Sequence, residues 1–403
     1  MLQTRLTVFI LISILLMTGC NGSRRPAIGD DIENVIIIAI DTLRADHLGF
    51  MGYYRRTSPF MDELAERSVI FTNVYAVKSL TLPSFTAMFS GLHTIHNGIF
   101  KNCWPLPDDL HVLIEDFQSD GFETIGFASS AIMNGSYGIN RGFDDYQDPV
   151  HHPQEFTLTR EMVREKIENT DGPMFMWIHV WEPHVPYEPD PEVLELFADP
   201  EYDGPMDGSV ELLDQYTLWQ VQLNEEDIQN AVDRYDGEIR WVDNQLSELF
   251  AFFEEKGLID NSLIIITSDH GEALGEDHIF NHRRDRTIEL HIPLLIHFPG
   301  DLRAGRTIPA LVENTDILPT VMEILGMPVP EDIDGISLLP LITGDAVDHR
   351  DKLLSVGTND TGSFVYSEFD GVSRHRVDLD INPSTENLTP EELELLQSLG
   401  YIH

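Results

Sequence analysis

Two apolar runs in the chain end in an acid. "NVIIIAI" (34–40) leads into Asp41, and "SLIIITS" (262–268) leads into Asp269-His270-Gly271. Continuous β-branched runs of this kind read as strands covered on both faces. In open α/β sheets, ligands bind beyond the carboxyl ends of the strands. Asp41, Asp269 and His270 together offer hard oxygen donors and one imidazole. That set suits Zn²⁺ or Mn²⁺ better than Ca²⁺, which rarely takes nitrogen. Either Asp alone reads as a loop cap. A further group stands in "SLTLPSFTAMFSGL" (79–92), where Thr81 precedes Pro83 by two residues. Thr is a favoured helix cap and Pro is tolerated in a first helical turn, so this stretch alone reads as a capped helix start. Beside a metal ion, the same hydroxyl would be acidified into a nucleophile. Free N–H groups at that helix start would suit a tetrahedral anion.

These groups need a sheet to hold them. "TIGFAS" (124–129), "MFMWIHV" (174–180) and "IPLLIHF" (292–298) read as further buried strands, giving an α/β fold with a mostly parallel sheet. Ile228, Val232, Tyr235, Ile239, Val242, Leu246, Leu249 and Phe253 recur at helical spacing, and "DILPTVMEILG" (316–326) reads as a second helix closed by Gly326 and Pro328. Residues 186–225 are rich in Pro, Asp and Glu and read as a surface insertion that, with the C-terminal 60 residues, supplies the pocket rim. "LTPEELELLQSLGYIH" (388–403) reads as a closing amphipathic helix.

The 403 residues carry 69 Asp plus Glu against 25 Lys plus Arg, a formal net charge of -44. Such a surface repels nucleic acid, and its even spread along the chain reads as a solubility or salt adaptation. The start, "MLQTRLTVFILISILLMTGC", has one Arg, an apolar run too short to span a bilayer, and a Thr-Gly-Cys ending. It reads as a lipoprotein signal peptide over 1–19, with a tether at 20–32. Lipidation of Cys20 would place the protein in a bacterial cell envelope, facing the periplasm or exterior. Cys103 is then alone, so no internal disulfide can form, and a lone Cys reads as a small buried hydrophobe.

Six stretches in order resemble the sulfatase family of the alkaline phosphatase superfamily. They are "NVIIIAIDTLRADHLGFMGY" (34–53), "SLTLPSFTAMFSGLHTIHNG" (79–98), "FMWIHVWEPHVPYEP" (175–189), "YDGEIRWVDNQL" (235–246), "TSDHGEALGEDHIFNH" (267–282) and "NTDILPTVMEILGMPVPEDIDGISLLPLI" (314–342). The resemblance implies an alkaline-phosphatase-like three-layer sandwich. It would comprise a catalytic domain over 33–342 and a small C-terminal subdomain over 343–403. It also implies that Asp41, Asp269, His270 and Thr81 hold the catalytic metal. Thr81 falls at the nucleophile position, and Pro83 and Ser84 match the C/S-x-P-S-R signature. His184 matches a His that contacts the transferred group, and His282 a Lys or His position. Two such His residues suit a phosphoryl or sulfuryl transition state, whose leaving oxygen needs a proton.

The chain departs from that pattern at three places. Thr81 cannot become the formylglycine that sulfatases make from Cys or Ser, because its Cβ carries a methyl group. Phe85 replaces the signature Arg, and Thr42 replaces the usual second metal Asp. The expectation is therefore a metal-dependent hydrolase that prefers phosphodiester or phosphonate esters over sulfate esters. One ion is expected rather than two, although Glu182 with His184 and His282 could form a second site. The substrate would be a small-molecule, glycan or lipid ester. The alternatives are an envelope phosphoethanolamine or glycerol-phosphate transferase, and a non-catalytic sulfatase-like binding protein. His179 reads as a supporting residue, Arg44 and Lys78 as surface charges, and Glu272 and His278 as loop residues.

Overall fold

The computed structural model describes residues 29, 31–149, 153–282, 284–358, 364–369 and 374–378. The signal peptide, Cys20 and the 388–403 helix lie outside the described residues.

In chain order the strands are β1 (Asn34–Ile40), β2 (Val69–Tyr75), β3 (Glu123–Phe127), β4 (Asp145–Gln147), β5 (Met174–Val180), β6 (Ser262–Ser268), β7 (Ala273–Leu274), β8 (Phe280–Asn281), β9 (His291–His297), β10 (Arg306–Glu313), β11 (Leu353–Thr358), β12 (Phe364–Phe369) and β13 (Arg374–Asp378). Eight of them form one sheet in the order β10-β2-β9-β6-β1-β5-β3-β4. Its pairs are parallel except at β9, which runs against both β2 and β6. Every residue of β1, β5 and β6 is buried, because helices cover both faces. One apolar layer packs the Thr81–Ser90 and Ile317–Ile324 helices against the sheet, and the other packs the Pro59–Glu66, Phe156–Asn169 and Glu225–Glu255 helices. The result is a three-layer α/β sandwich. A separate antiparallel sheet, β11-β12-β13, lies within 343–403.

The Glu225–Glu255 helix positions much of the site. Asn224 and Asp227 cap its start reciprocally. Tyr235, Ile239, Val242, Leu246, Leu249 and Phe253 bury its inner face, each contributing about 1.5–3 kcal/mol. Gly237 costs helix propensity, but a Cβ there would come within 3.0 Å of Pro189 in the insertion, so the close approach requires Gly. The insertion itself folds into the short helices Pro191–Leu194 and Val210–Thr217.

Candidate active site

The central strands β1 and β6 are parallel neighbours, with Ile40 opposite Ser268. Their next residues, Asp41 and Asp269, therefore emerge side by side, and His270 follows. The ligand atoms of these three buried residues lie within 4.8 Å of one another. Asp269 Oδ1 accepts from the N–H groups of Thr42 (3.2 Å) and His270 (2.9 Å). Asp269 Oδ2, both Asp41 oxygens and His270 Nε2 are buried with no hydrogen-bond partner. His270 Nδ1 lies 3.0 Å from the Gly271 carbonyl. Donation there leaves the Nε2 lone pair of the neutral ring facing the carboxylates. Burial, reinforced by Asp269, raises the Asp41 pKa well above the carboxylate range. Burial opposes charge on His270, but Asp269 and Asp41 outweigh it and raise its pKa. Two buried carboxylates with unpaired oxygens and an aligned imidazole lone pair fit a divalent cation.

The surroundings hold these ligands in place. His179 Nδ1 accepts from the Ser129 N–H at 3.2 Å, so its neutral ring carries the proton on Nε2, which lies 3.3 Å from Asp41 Oδ2. Burial pushes the His179 pKa down to about 4. Trp177 stacks on this ring and Phe85 meets it edge-on at 5.2 Å. Phe85, where the signature has Arg, is thus a fully buried wedge behind His179. Gly271 passes so close to the short Thr287–Leu290 helix before β9 that a Cβ would lie 2.6 Å from the Ile288 carbonyl. Thr42 adopts φ 55, unusual for a β-branched residue, and the Tyr235 hydroxyl bonds its carbonyl at 2.7 Å.

Thr81 is not the helix cap. Leu80 occupies the N-cap position, and its side chain makes no capping bond. Asn102 Oδ1 instead accepts the Leu82 N–H at 3.0 Å. The expected row of free N–H groups is reduced as well, because Pro83 has none and the Ser84 N–H bonds Leu80 O. The helix start is pinned to the metal ligands, since Ser84 Oγ donates to the Asp269 carbonyl at 2.6 Å. Before it, buried Asp285 accepts from the N–H and hydroxyl of Ser79 at 2.8 and 2.9 Å and pairs with Lys78 at 2.5 Å. Thr81 is thereby held from both sides with its hydroxyl free of capping duty.

Three imidazoles form a row. His282 lies 4.3 Å from His270 and 5.0 Å from His184, ring centre to ring centre. The β7–β8 hairpin delivers His282, and it rests on the insertion through the Phe280 N–H to Thr217 Oγ1 bond and the stack of His278 on Trp219. His184 Nδ1 sits 2.6 Å from the Val185 carbonyl, and burial pushes its pKa down to about 3. At neutral pH it therefore presents an acceptor on Nε2.

Three expectations need correction. Glu272 is no ordinary loop residue: it is fully buried, with Oε1 3.2 Å from His282 Nδ1. Arg44 and Lys78 are not surface charges. Buried Arg44 bonds Asp46, Glu276 and the Glu272 carbonyl, tying the loop after β1 to the loop after β6. Cys103 is exposed, with φ 62, rather than buried. For Glu272, Arg44 and Lys78 the deciding partners lie remote in sequence.

The family model described as Sulfatase matches residues 33–327. The chain belongs to the sulfatase family, ester hydrolases of the alkaline phosphatase superfamily. An N-acetylglucosamine-6-O-sulfatase of Bacteroides thetaiotaomicron is 24% identical over 396 residues, covering 77% of this chain and 71% of that protein. A ulvan-active sulfatase of Formosa agariphila is 26% identical over 330 residues, covering 81% of this chain and 61% of that protein. The phosphonate monoester hydrolase of Agrobacterium radiobacter superposes with a TM-score of 0.70 at 21% identity, covering 91% of this chain and 94% of that one.

Proposed function

We infer that the protein hydrolyses phosphodiester or phosphonate esters in preference to sulfate esters, with Thr81 as nucleophile. The observation that carries this reading is the uncapped Thr81 at a helix start pinned to Asp269. Asp41, Asp269 and His270 would hold a divalent ion, with Thr81 as a further ligand, and Zn²⁺ or Mn²⁺ suits the donors. Such an ion, when bound, acidifies a nearby hydroxyl and neutralises charge on the phosphoryl oxygens. Thr81 Oγ1 loses its proton to solvent and attacks phosphorus, the bond to the leaving alcohol breaks, and a phospho-threonine forms. His282, its Nδ1 held by Glu272, protonates the departing oxygen. His184, neutral and with a free Nε2 lone pair, is suited to accept a hydrogen bond from the substrate or the water that releases the phosphoryl group. The names of the relatives support a glycan or small-molecule ester as substrate, and the phosphonate hydrolase likeness supports chemistry at phosphorus.

The test is a panel of p-nitrophenyl sulfate, bis-p-nitrophenyl phosphate and p-nitrophenyl phenylphosphonate on metal-stripped protein reloaded with Zn²⁺, Mn²⁺ or Ca²⁺. Thr81→Ala should lower turnover on the order of 10³-fold or more, and Thr81→Ser should keep part of it. Sulfate turnover that survives Thr81→Ala would end this reading.

A further inference from the structure

We propose that Arg55, Arg56 and Arg240 form a second anion site, outside the catalytic centre, for a sulfate or phosphate group carried on a saccharide. The chain has only 25 Lys plus Arg against 69 acids. Three of those cations nevertheless line one cavity of about 460 Å³, together with Leu196 and Phe197 of the insertion. A neighbouring cavity of about 650 Å³ shares Arg55 and Arg56 and reaches Tyr53 and Tyr54. Asp62 and Glu66 also line this second cavity, which leaves the first as the anionic seat. Both volumes suit a small ligand.

The charges in this cavity are unequally compensated. Arg55 is fixed by Asp233 and Asp236, at 2.8 Å each. Among the described residues, no carboxylate lies within ion-pair distance of Arg56 or Arg240. Arg240 hydrogen-bonds Asn244 Oδ1 at 3.3 Å and the Arg56 carbonyl at 3.0 Å, and it acts on the buried Asp243 carboxyl through charge alone. Paired guanidinium forks match the geometry of sulfate and phosphate oxygens. The Arg55 guanidinium also lies 5.7 Å from the Tyr54 ring centre and 5.9 Å from that of Phe197. Tyr54 is 80% exposed. Aromatic faces beside cations suit a sugar ring bearing an anionic substituent.

The cavity and the catalytic centre share the Glu225–Glu255 helix. Tyr235 bonds the Thr42 carbonyl, next to Asp41. Arg240 lies five residues further on the same helix, about 7.5 Å along its axis. A substrate longer than one sugar could place its ester at Thr81 and a second anion here. This rests on the reading that the natural ester sits on a glycan.

The experiment measures binding separately from turnover. A fully sulfated heparin tetrasaccharide, its desulfated form and inorganic sulfate are titrated calorimetrically into full-chain Thr81→Ala protein, alone and with Arg56→Gln and Arg240→Gln added. The two Gln changes should weaken tetrasaccharide binding at least about tenfold. Arg56→Lys with Arg240→Lys should retain most of it, which separates charge from packing. The desulfated form should bind far more weakly. In the active enzyme, the Gln changes should leave kcat/KM for a p-nitrophenyl ester within about twofold. Unchanged tetrasaccharide affinity in the Gln variant overturns the site even if esters are hydrolysed. Binding that depends on both arginines, with no ester hydrolysed, keeps the site and removes the hydrolase reading.

Discussion

Glu272 holds the Nδ1 side of His282 from a fully buried position. An acceptor there orients the imidazole, and its negative charge, which burial opposes by raising the Glu272 pKa, would favour the imidazolium that a general acid requires. It touches no reacting atom, so it is a positioning residue. Glu272→Gln keeps a hydrogen-bond acceptor but removes the charge. The loss should therefore track how much the leaving group needs a proton. With a simple alkyl ester, kcat should fall about 10–100-fold. With a p-nitrophenyl ester, whose anion leaves unaided, the fall should stay within about threefold. Equal losses on both esters would mean that Glu272 is only structural. Nothing in "DHGEALGED" marks Glu272 as different from Glu276, because the distinguishing fact is the His282 side chain ten residues away. Asp41, Asp269 and His270 were legible because each follows a fully buried strand. Lys78 was not, because its burial depends on Asp285, 207 residues later.

On the Glu225–Glu255 helix, Glu238 is buried and accepts the Glu188 N–H at 2.8 Å. Burial, aided by Glu182, pushes its pKa up to about 8. In the unfolded chain the same carboxyl ionises near about 4.3. Between those values the folded state holds a proton that the unfolded state has released. The stability tied to that proton is complete below the unfolded pKa and is lost as pH rises through the folded one. Glu238→Gln removes the dependence while keeping the acceptor for Glu188. The variant should gain on the wild type by up to about 1.4 kcal/mol per pH unit, levelling off above the folded pKa. Urea melts at pH 5, 7 and 9 measure this, and parallel curves would refute it. Element identity was more readable than such buried charge. β1, β5 and β6 coincide with their apolar runs because both faces are covered. β2, "VIFTNVY", escaped because Thr72 and Asn73 interrupt its run, where the pairing with β9 and β10 also shifts register. The reversed direction of β9 left no trace in composition, since an apolar strand reads alike in either sense.

For the whole molecule, the charge of -44 acts on stability and on recognition with opposite signs. Like charges spread over one surface repel one another and destabilise the compact state. Salt shortens the screening length from about 10 Å at 0.1 M to about 3 Å at 1 M. Raising KCl from 10 mM to 1 M should therefore raise Tm by several degrees or more. A neutral osmolyte series separates this from solvent-exclusion effects, and a flat Tm in KCl would mean that repulsion is already relieved within the fold. The local cationic cavity should behave in the opposite way. Arg56 and Arg240 attract an anion that the rest of the surface repels, so added salt screens both the attraction and the repulsion. If the cavity dominates, tetrasaccharide affinity falls across the same salt range in which Tm rises. If affinity rises with salt instead, the global repulsion outweighs the arginines, and a sulfated chain is not what this cavity holds.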